Sequence, residues 1–208
     1  MPNLIGHLDK RAQQELLDDL NYLNLGEMRA FCREHGIPTA IYIETESGER
    51  RRTKDTDRKS VVLGRVRSYL KTGRVPAATV FGAAVVELNG LPAKPRPTDR
   101  LYYGCYDKKN PEMLALLRRL TDGAFRNGAV ARILAREFWT AGVAPTFAEF
   151  ARAWTAASAK GLGIAEGEHP EAAFLTDRAK GEAGDDWKRK RARIAARAQK
   201  VLATIPPR

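Results

Sequence analysis

Residues 50–74, with the sequence RRRTKDTDRKSVVLGRVRSYLKTGR, combine a dense block of positive charge with the start of an amphipathic helix. The stretch holds ten basic side chains against two acidic ones, Asp55 and Asp57, so its net charge is +8. The preceding residues 1–49 hold four basic and nine acidic side chains, which gives a net charge of −5. Because a cationic face attracts polyanions, this charge reversal predicts a polyanion-binding surface on folded structure.

The composition of the whole chain agrees with this interpretation. Its 208 residues are 43% hydrophobic, which is enough for one large core or two small ones. The formal net charge is +11. A strongly basic balance is typical of nucleic-acid-binding proteins, although a solvated basic surface without a partner remains the alternative.

The N-terminal part has the pattern of two helices, an extended segment and a third helix. Apolar residues recur at helical spacing over 9–20, 25–35 and 57–72, and glycines stand after the last two segments. One of Asp55, Thr56 and Asp57 is expected to cap the third helix. Between the helices, β-branched and aromatic residues at 41–43 and a return at 50–53 predict a β-hairpin or a long loop.

The remainder of the chain is predicted to be helical after a proline-rich linker. Helices are expected from Pro111 to Leu120, from an Asn127 cap to about 141, after a Thr146–Glu149 capping box, and over 185–204. Residues 159–184 have the composition of a loop. The predicted fold is therefore mainly α, with a domain at residues 1–75, a linker at 76–100 and a helical domain of unknown role at 101–208.

Two segments carry the pattern of a known family. The first is LGEMRAFCREHGI at residues 25–37, and the second is RKSVVLGRVRSYLKTG at residues 58–73. Together they resemble a SAP domain, the helix–extended loop–helix motif of DNA-binding proteins, in a bacterial variety covering about residues 20–73. A Rho N-terminal-like or LEM-like helix–loop–helix is the nearest structural competitor.

The resemblance implies DNA contact through the loop and the second helix. Lys59 lies near the lysine of the family's loop, and Arg65 and Val66 match its arginine–hydrophobic pair. The loop differs from the family, because about twenty residues from Pro38 to Asp57 replace a short loop and add the cations Arg50 to Arg52.

Seven basic residues are the predicted phosphate contacts, because cations flanking a helix N-terminus suit phosphate oxygens. They are Arg50, Arg51, Arg52, Lys54, Arg58, Lys59 and Arg65. For Arg65 an internal ion pair with an acid such as Glu27 is an equal alternative. Lys188, Arg189 and Lys190 form an auxiliary candidate site, for which the alternatives are the solvated face of an amphipathic helix and a helix on a membrane surface.

Other classes of site have little support in the sequence. Cys32 and His35 have a ligand-like spacing but no second pair, so we expect a core cysteine and a surface histidine rather than a metal site. Tyr102, Tyr103 and Tyr106 are expected to form a hydrophobic cluster rather than a base-stacking surface. Motifs typical of enzymes are missing from the sequence, so we expect no catalysis and no cofactor.

The expected function is non-enzymatic DNA binding of low sequence specificity, with RNA as another possible ligand. The alternative is a protein–protein interaction module whose cations bind an acidic partner. Two widely separated cysteines and the lack of a long apolar stretch predict a cytoplasmic protein that does not bind membranes, with association with the nucleoid as a further option.

Overall fold

The computed structural model describes residues 3–107, 109–159 and 184–207 and divides them into two units. The first unit contains residues 3–40, 55–78 and 184–207, and the second contains residues 41–54 and 79–159. The fold is mainly α, as predicted, and it also contains a small three-stranded sheet. Residues 160–183, which cover most of the predicted loop at 159–184, lie outside the described residues.

The first unit is built from four α-helices. They are α1 (Lys10–Asp19), α2 (Leu25–Glu34), α3 (Lys59–Thr72) and α7 (Gly184–Leu202), with a 3-10 turn at Leu20–Tyr22 after α1. Asp9 caps α1 by accepting a hydrogen bond from the Ala12 amide, at 2.8 Å. Asn24 and Glu27 form a reciprocal capping box that starts α2.

For helix α3, the predicted N-terminal cap is wrong and the predicted C-terminal glycine is correct. Its N-cap residue is Arg58, which makes no side-chain capping bond, so the predicted cap at Asp55, Thr56 or Asp57 is wrong. Its C-terminal residue is followed by Gly73 at φ +65°, a left-handed conformation that glycine adopts without strain, as predicted.

The apolar faces of α2 and α3 share one core, which supports the predicted helix pairing. Met28, Val62 and Val66 are almost fully buried in the same cluster, and Leu25 packs against it. The end of the chain also joins this core, through Ala195, Ala198, Leu202 and Ile205.

The predicted division into residues 1–75, 76–100 and 101–208 is therefore corrected. The apolar stripe of α7 belongs to the core of the first unit and not to a separate C-terminal domain. The proline-rich segment is not a linker, because Phe81 and Val85 are completely buried in the core of the second unit. Prolines identify where regular structure is interrupted, but burial of the intervening apolar residues decides which core a segment joins.

The second unit contains the sheet and three helices. The strands are β1 (Ala40–Glu44), β2 (Arg50–Thr56) and β3 (Thr79–Phe81), whose order in the sheet is β2-β1-β3. The helices are α4 (Pro111–Arg119), α5 (Ala129–Thr140) and α6 (Phe147–Ala159). The hairpin of β1 and β2 agrees with the sequence, whereas the parallel pairing of β3 with β1 was not predicted.

Aromatic side chains fill the core of the second unit. Tyr103 and Tyr106 pack edge-on against Trp139, whose indole N–H donates to the Leu101 carbonyl at 2.9 Å. Tyr102 also packs against this core, so the predicted hydrophobic tyrosine cluster is confirmed. The predicted capping box of α6 is present between Thr146 and Glu149. The Asn127 cap of α5 is wrong, because Gly128 is the N-cap residue and Asn127 accepts a bond from Tyr106.

His35 lies inside the first unit, so the prediction of a surface histidine is wrong. Its ring is 4.1 Å from that of Phe31, and its Nδ1 lies 3.3 Å from the Tyr69 hydroxyl. The residue is only 1% exposed. Loss of solvation lowers the pKa of His35, and the charge of Glu34 opposes this shift.

We predict that His35 makes the first unit less stable below neutral pH. The unfolded state binds the His35 proton near its ordinary pKa of about 6.5, whereas the folded state binds it only at lower pH. The contribution is therefore fully present above the unfolded pKa and is lost as the pH falls through the folded pKa. Guanidinium unfolding from about pH 7.5 to 5.5 should show decreasing stability in the natural chain.

The matched variants are His35→Gln, which keeps a polar group near Tyr69, and His7→Gln at an exposed position. The first should flatten the pH dependence and the second should leave it unchanged. Equal pH dependence in all three proteins would disprove the assignment.

Candidate nucleic-acid interface

The basic residues predicted to form one surface belong to two units. Arg50, Arg51, Arg52 and Lys54 lie on β2 in the second unit. Arg58, Lys59 and Arg65 lie at the start of α3 and along it, in the first unit. The predicted set therefore consists of two groups with different surroundings.

A tight turn fixes the hairpin that carries the first group. The Gly48 amide donates to the Thr45 carbonyl at 2.8 Å, and the Thr45 amide donates to the Glu49 carbonyl at 2.9 Å. Gly48 has φ +78°, which a residue with a side chain rarely adopts. The short turn returns β2 directly alongside β1.

Two contacts define the register of this hairpin. Besides the Thr45–Glu49 bond, the Thr53 hydroxyl donates to the Ile41 carbonyl at 2.9 Å. Both fit a single antiparallel register, in which Tyr42 lies opposite Arg52 and Glu44 lies opposite Arg50. Because opposed residues share a face, the side chains of these four residues project to the same side of the sheet.

That side of the hairpin carries three exposed cations. Arg50, Arg52 and Lys54 alternate along β2 and are all exposed. Alternate residues of a strand repeat at about 6.7 Å, so the three charges form a regular row. This spacing is comparable to that of successive phosphates along one nucleic-acid strand. Glu44 is the acidic residue opposite this row.

Arg51 is on the other face of β2 and is engaged locally. Its guanidinium forms an ion pair with Glu49 at 2.8 Å, with both side chains more than half exposed. The hydrogen bond from Arg51 is the main reason that the pKa of Glu49 is lowered. An exposed pair of this kind contributes little to stability.

Arg65 is not part of an exposed basic surface, which corrects its assignment as a phosphate contact. Its guanidinium donates to Asp57 at 2.6 Å and to the Pro38 carbonyl at 2.8 Å. The side chains of Arg65 and Asp57 are 9% and 4% exposed. The alternative of an internal ion pair is therefore correct, although the partner is Asp57 and not Glu27.

Two further cations of α3, Lys59 and Arg67, also have internal contacts. The Lys59 ammonium donates to the Asn21 carbonyl, and Arg67 donates to the Leu17 carbonyl at 2.9 Å. Arg58 is half-buried. The buried carboxylate of Asp57 directly precedes the N-cap, so the start of α3 already contains a negative charge.

The cations of the C-terminal helix α7 also fall into two groups, those that pair with carboxylates of the first unit and those that were candidate contacts. Arg191 forms an ion pair with Glu27 and donates to the Tyr22 carbonyl at 3.0 Å. Arg197 makes two bonds to the buried carboxylate of Asp19, at 2.5 and 2.7 Å. Of the auxiliary candidates, Lys188 and Arg189 are exposed and Lys190 is half-buried. An open cavity of about 290 Å³ is lined by Asp186, Arg189, Lys190 and Arg193.

The roles of Arg191 and Arg197 were not predicted from the sequence. The one signal was the acidic excess of residues 1–49, which does not identify partners for single carboxylates. Two of those acids, Asp19 and Glu27, instead pair with the basic C-terminal helix.

Two features of the described residues concern metal binding and the reactivity of a buried thiol. No group of three or more His, Cys, Asp and Glu side chains within them is suited to hold a metal ion. Burial raises the pKa of the Cys32 thiol to about 11, so this thiol is protonated at neutral pH. In the same part of the chain, no helix is both long and apolar enough to cross a membrane.

Comparison with protein-family models, curated proteins and solved structures gives no match in any of the three searches. The resemblance of residues 20–73 to a SAP domain therefore stays a prediction from the sequence.

We predict that Arg65 stabilises the first unit through its buried ion pair with Asp57. Arg65→Met should lower the free energy of unfolding by about 3–5 kcal/mol, because it leaves Asp57 as a buried charge without its partner. Arg65→Met combined with Asp57→Leu should recover much of the loss, because it removes both charges. Urea unfolding of the two variants measures the difference, and equal stability of both variants with the natural chain would contradict the prediction.

Proposed function

We propose that this protein binds nucleic acid without catalysing a reaction on it, and that the cation row of β2 contacts the phosphates. The row consists of Arg50, Arg52 and Lys54. The observation that carries the proposal is the exposure of all three on one face of one strand. A regular row of solvated cations matches a polymer of regularly spaced negative charges better than it matches an isolated anion.

Phosphate contacts explain both the expected affinity and the expected lack of sequence preference. Contacts to the phosphate backbone position a protein without reading the bases. Each neutralised phosphate releases counterions, so affinity falls as salt increases. With three phosphates, the log–log salt slope should be about −2.7 on duplex DNA and about −2.1 on a single strand.

The helix pair of the first unit gives secondary support. Its sequence resembles a DNA-binding motif, and α2 and α3 do share a core. However, Arg65 and Lys59 have internal partners, so the proposal gives them a structural role. The exposed side chains of Lys188 and Arg189 remain the proposed auxiliary contacts.

An acidic protein partner is the second candidate, and the position of β2 in the sheet favours it. β2 is an edge strand, because β1 lies between it and β3. An extended acidic segment can add to a sheet edge through main-chain hydrogen bonds while its carboxylates pair with cations. Main-chain pairing would give an affinity that persists at high salt, unlike binding to phosphates.

The direct test is a triple variant in which Arg50, Arg52 and Lys54 are changed to alanine. Fluorescence anisotropy with labelled single-stranded and duplex DNA should show weaker binding and a salt slope smaller by about two to three units. The matched control changes Lys71, Arg74 and Lys200 to alanine, which removes the same charge from exposed positions of the first unit. The control should bind with nearly the natural affinity.

Equal losses in the two triple variants would mean that net charge and not the row drives binding. If the natural chain binds neither DNA form at low salt, the nucleic-acid proposal is wrong. Binding of an acidic peptide that resists high salt would then favour the second candidate.

A further inference from the structure

We infer that the face of the sheet bearing the cation row takes single-stranded nucleic acid and stacks a base on Tyr42. The inference rests on the proposed function and specifies its ligand. It depends on the register of the hairpin, which puts an aromatic ring next to the middle cation of the row.

Tyr42 lies centrally on this face of the second unit. It is opposite Arg52 on β2, and the parallel register pairs it with Val80 on β3. The neighbouring residues of β1, Ile41 and Ile43, point the other way and are buried in the core with Phe81. The alternation of the strand thus separates a core face from a face with the ring of Tyr42, the side chain of Val80, the carboxylate of Glu44 and three cations.

The ring of Tyr42 is not needed by either core. Tyr102, Tyr103 and Tyr106 pack against the core of the second unit, whereas Tyr42 belongs to neither hydrophobic cluster. Tyr69 and Tyr106 place their hydroxyls beside His35 and Asn127. For Tyr42, no hydroxyl hydrogen bond occurs within the described part of the chain, and the residue is half-buried, so part of its side chain remains accessible.

This combination of groups suits an unpaired strand. Bases of a single strand can turn their flat faces to an aromatic ring, and such stacking tolerates any sequence. The flanking cations repeat at about 6.7 Å and can follow the phosphates of the same strand. In a duplex the base faces are stacked on each other, so Tyr42 would contribute nothing and only the cations would act.

Glu44 limits the binding surface at one end. It lies opposite Arg50, on the same face, and its carboxylate opposes the approach of phosphate. The proposed path of the strand therefore runs from Lys54 past Arg52 and Tyr42, with Arg50 partly offset by Glu44.

The test compares the full chain with Tyr42→Phe and Tyr42→Ile, using anisotropy on labelled probes of about twelve nucleotides, which are longer than the stretch of strand that a row of three cations can contact. The probes are oligo(dT), oligo(U) and a mixed-sequence duplex. The natural chain should bind the single strands more tightly than the duplex. Tyr42→Phe should keep this preference, and Tyr42→Ile should lose roughly five- to hundredfold in single-strand affinity with little change on the duplex. The two single-stranded probes show whether DNA or RNA is the better ligand.

A second measurement does not depend on the folding of a variant. Photo-crosslinking of the natural chain to a single strand containing iodouracil should attach the base to Tyr42, as identified by peptide mass spectrometry. Crosslinks found only elsewhere, equal affinities for duplex and single strands, or equal affinities of the Phe and Ile variants would overturn the inference and leave phosphate binding intact. Failure of every probe to bind would instead reject the proposed function as well.

Discussion

The return of the C-terminal helix to the N-terminal core is the constraint on which the first unit depends. Asp19 is 5% exposed, and its carboxylate is held by two bonds from Arg197. Ala195 and Ala198, which lie close to Arg197 on α7, are buried in the same core. Small side chains let α7 lie close to its neighbours, and the ion pair compensates a carboxylate that would otherwise be buried alone. A helix that sequence composition assigns to a second domain therefore completes the first.

Ion pairs within the first unit use part of the positive charge of the chain. A net charge of +11 suggests one extensive basic surface, but much of the charge in the first unit is used internally. Arg65 neutralises Asp57, Arg191 pairs with Glu27, and Arg197 pairs with Asp19. Arginine suits these positions because its planar guanidinium can satisfy several acceptors at once. The cations of β2 differ, because a hairpin strand exposes every second side chain on the face opposite the core.

Local signals in the sequence predicted local structure well. The helical periodicity of residues 57–72, the glycine at 73 and the Thr146–Glu149 box each act within a few residues, and each is present. The hairpin also follows from its turn and its β-branched strands. Of the candidate site residues, Arg50, Arg52 and Lys54 are exposed, as a phosphate contact requires. The helical spacing of Arg65 was compatible with either a surface or a core position, and Arg65 is buried.

Contacts between residues far apart in the sequence could not be predicted from local patterns. The Arg197–Asp19 pair joins residues 178 positions apart, and no local pattern records such a partner. The parallel pairing of β3 with β1 and the burial of Phe81 depend likewise on distant residues. His35 was predicted to lie on the surface, whereas its ring faces those of Phe31 and Tyr69, which no local pattern in the sequence indicates.

The central claim is that cations paired with carboxylates of the first unit maintain the fold, whereas the cations of β2 bind nucleic acid. Arg197→Met and Arg52→Met, each measured for unfolding free energy and for nucleic-acid affinity, test this division most directly. Arg197→Met should lower the unfolding free energy by about 2 kcal/mol or more, because Asp19 loses its partner, while the folded protein keeps its affinity. Arg52→Met should weaken binding and change stability by no more than about 0.5 kcal/mol. The opposite pattern, with affinity lost at Arg197 and stability lost at Arg52, would contradict the account.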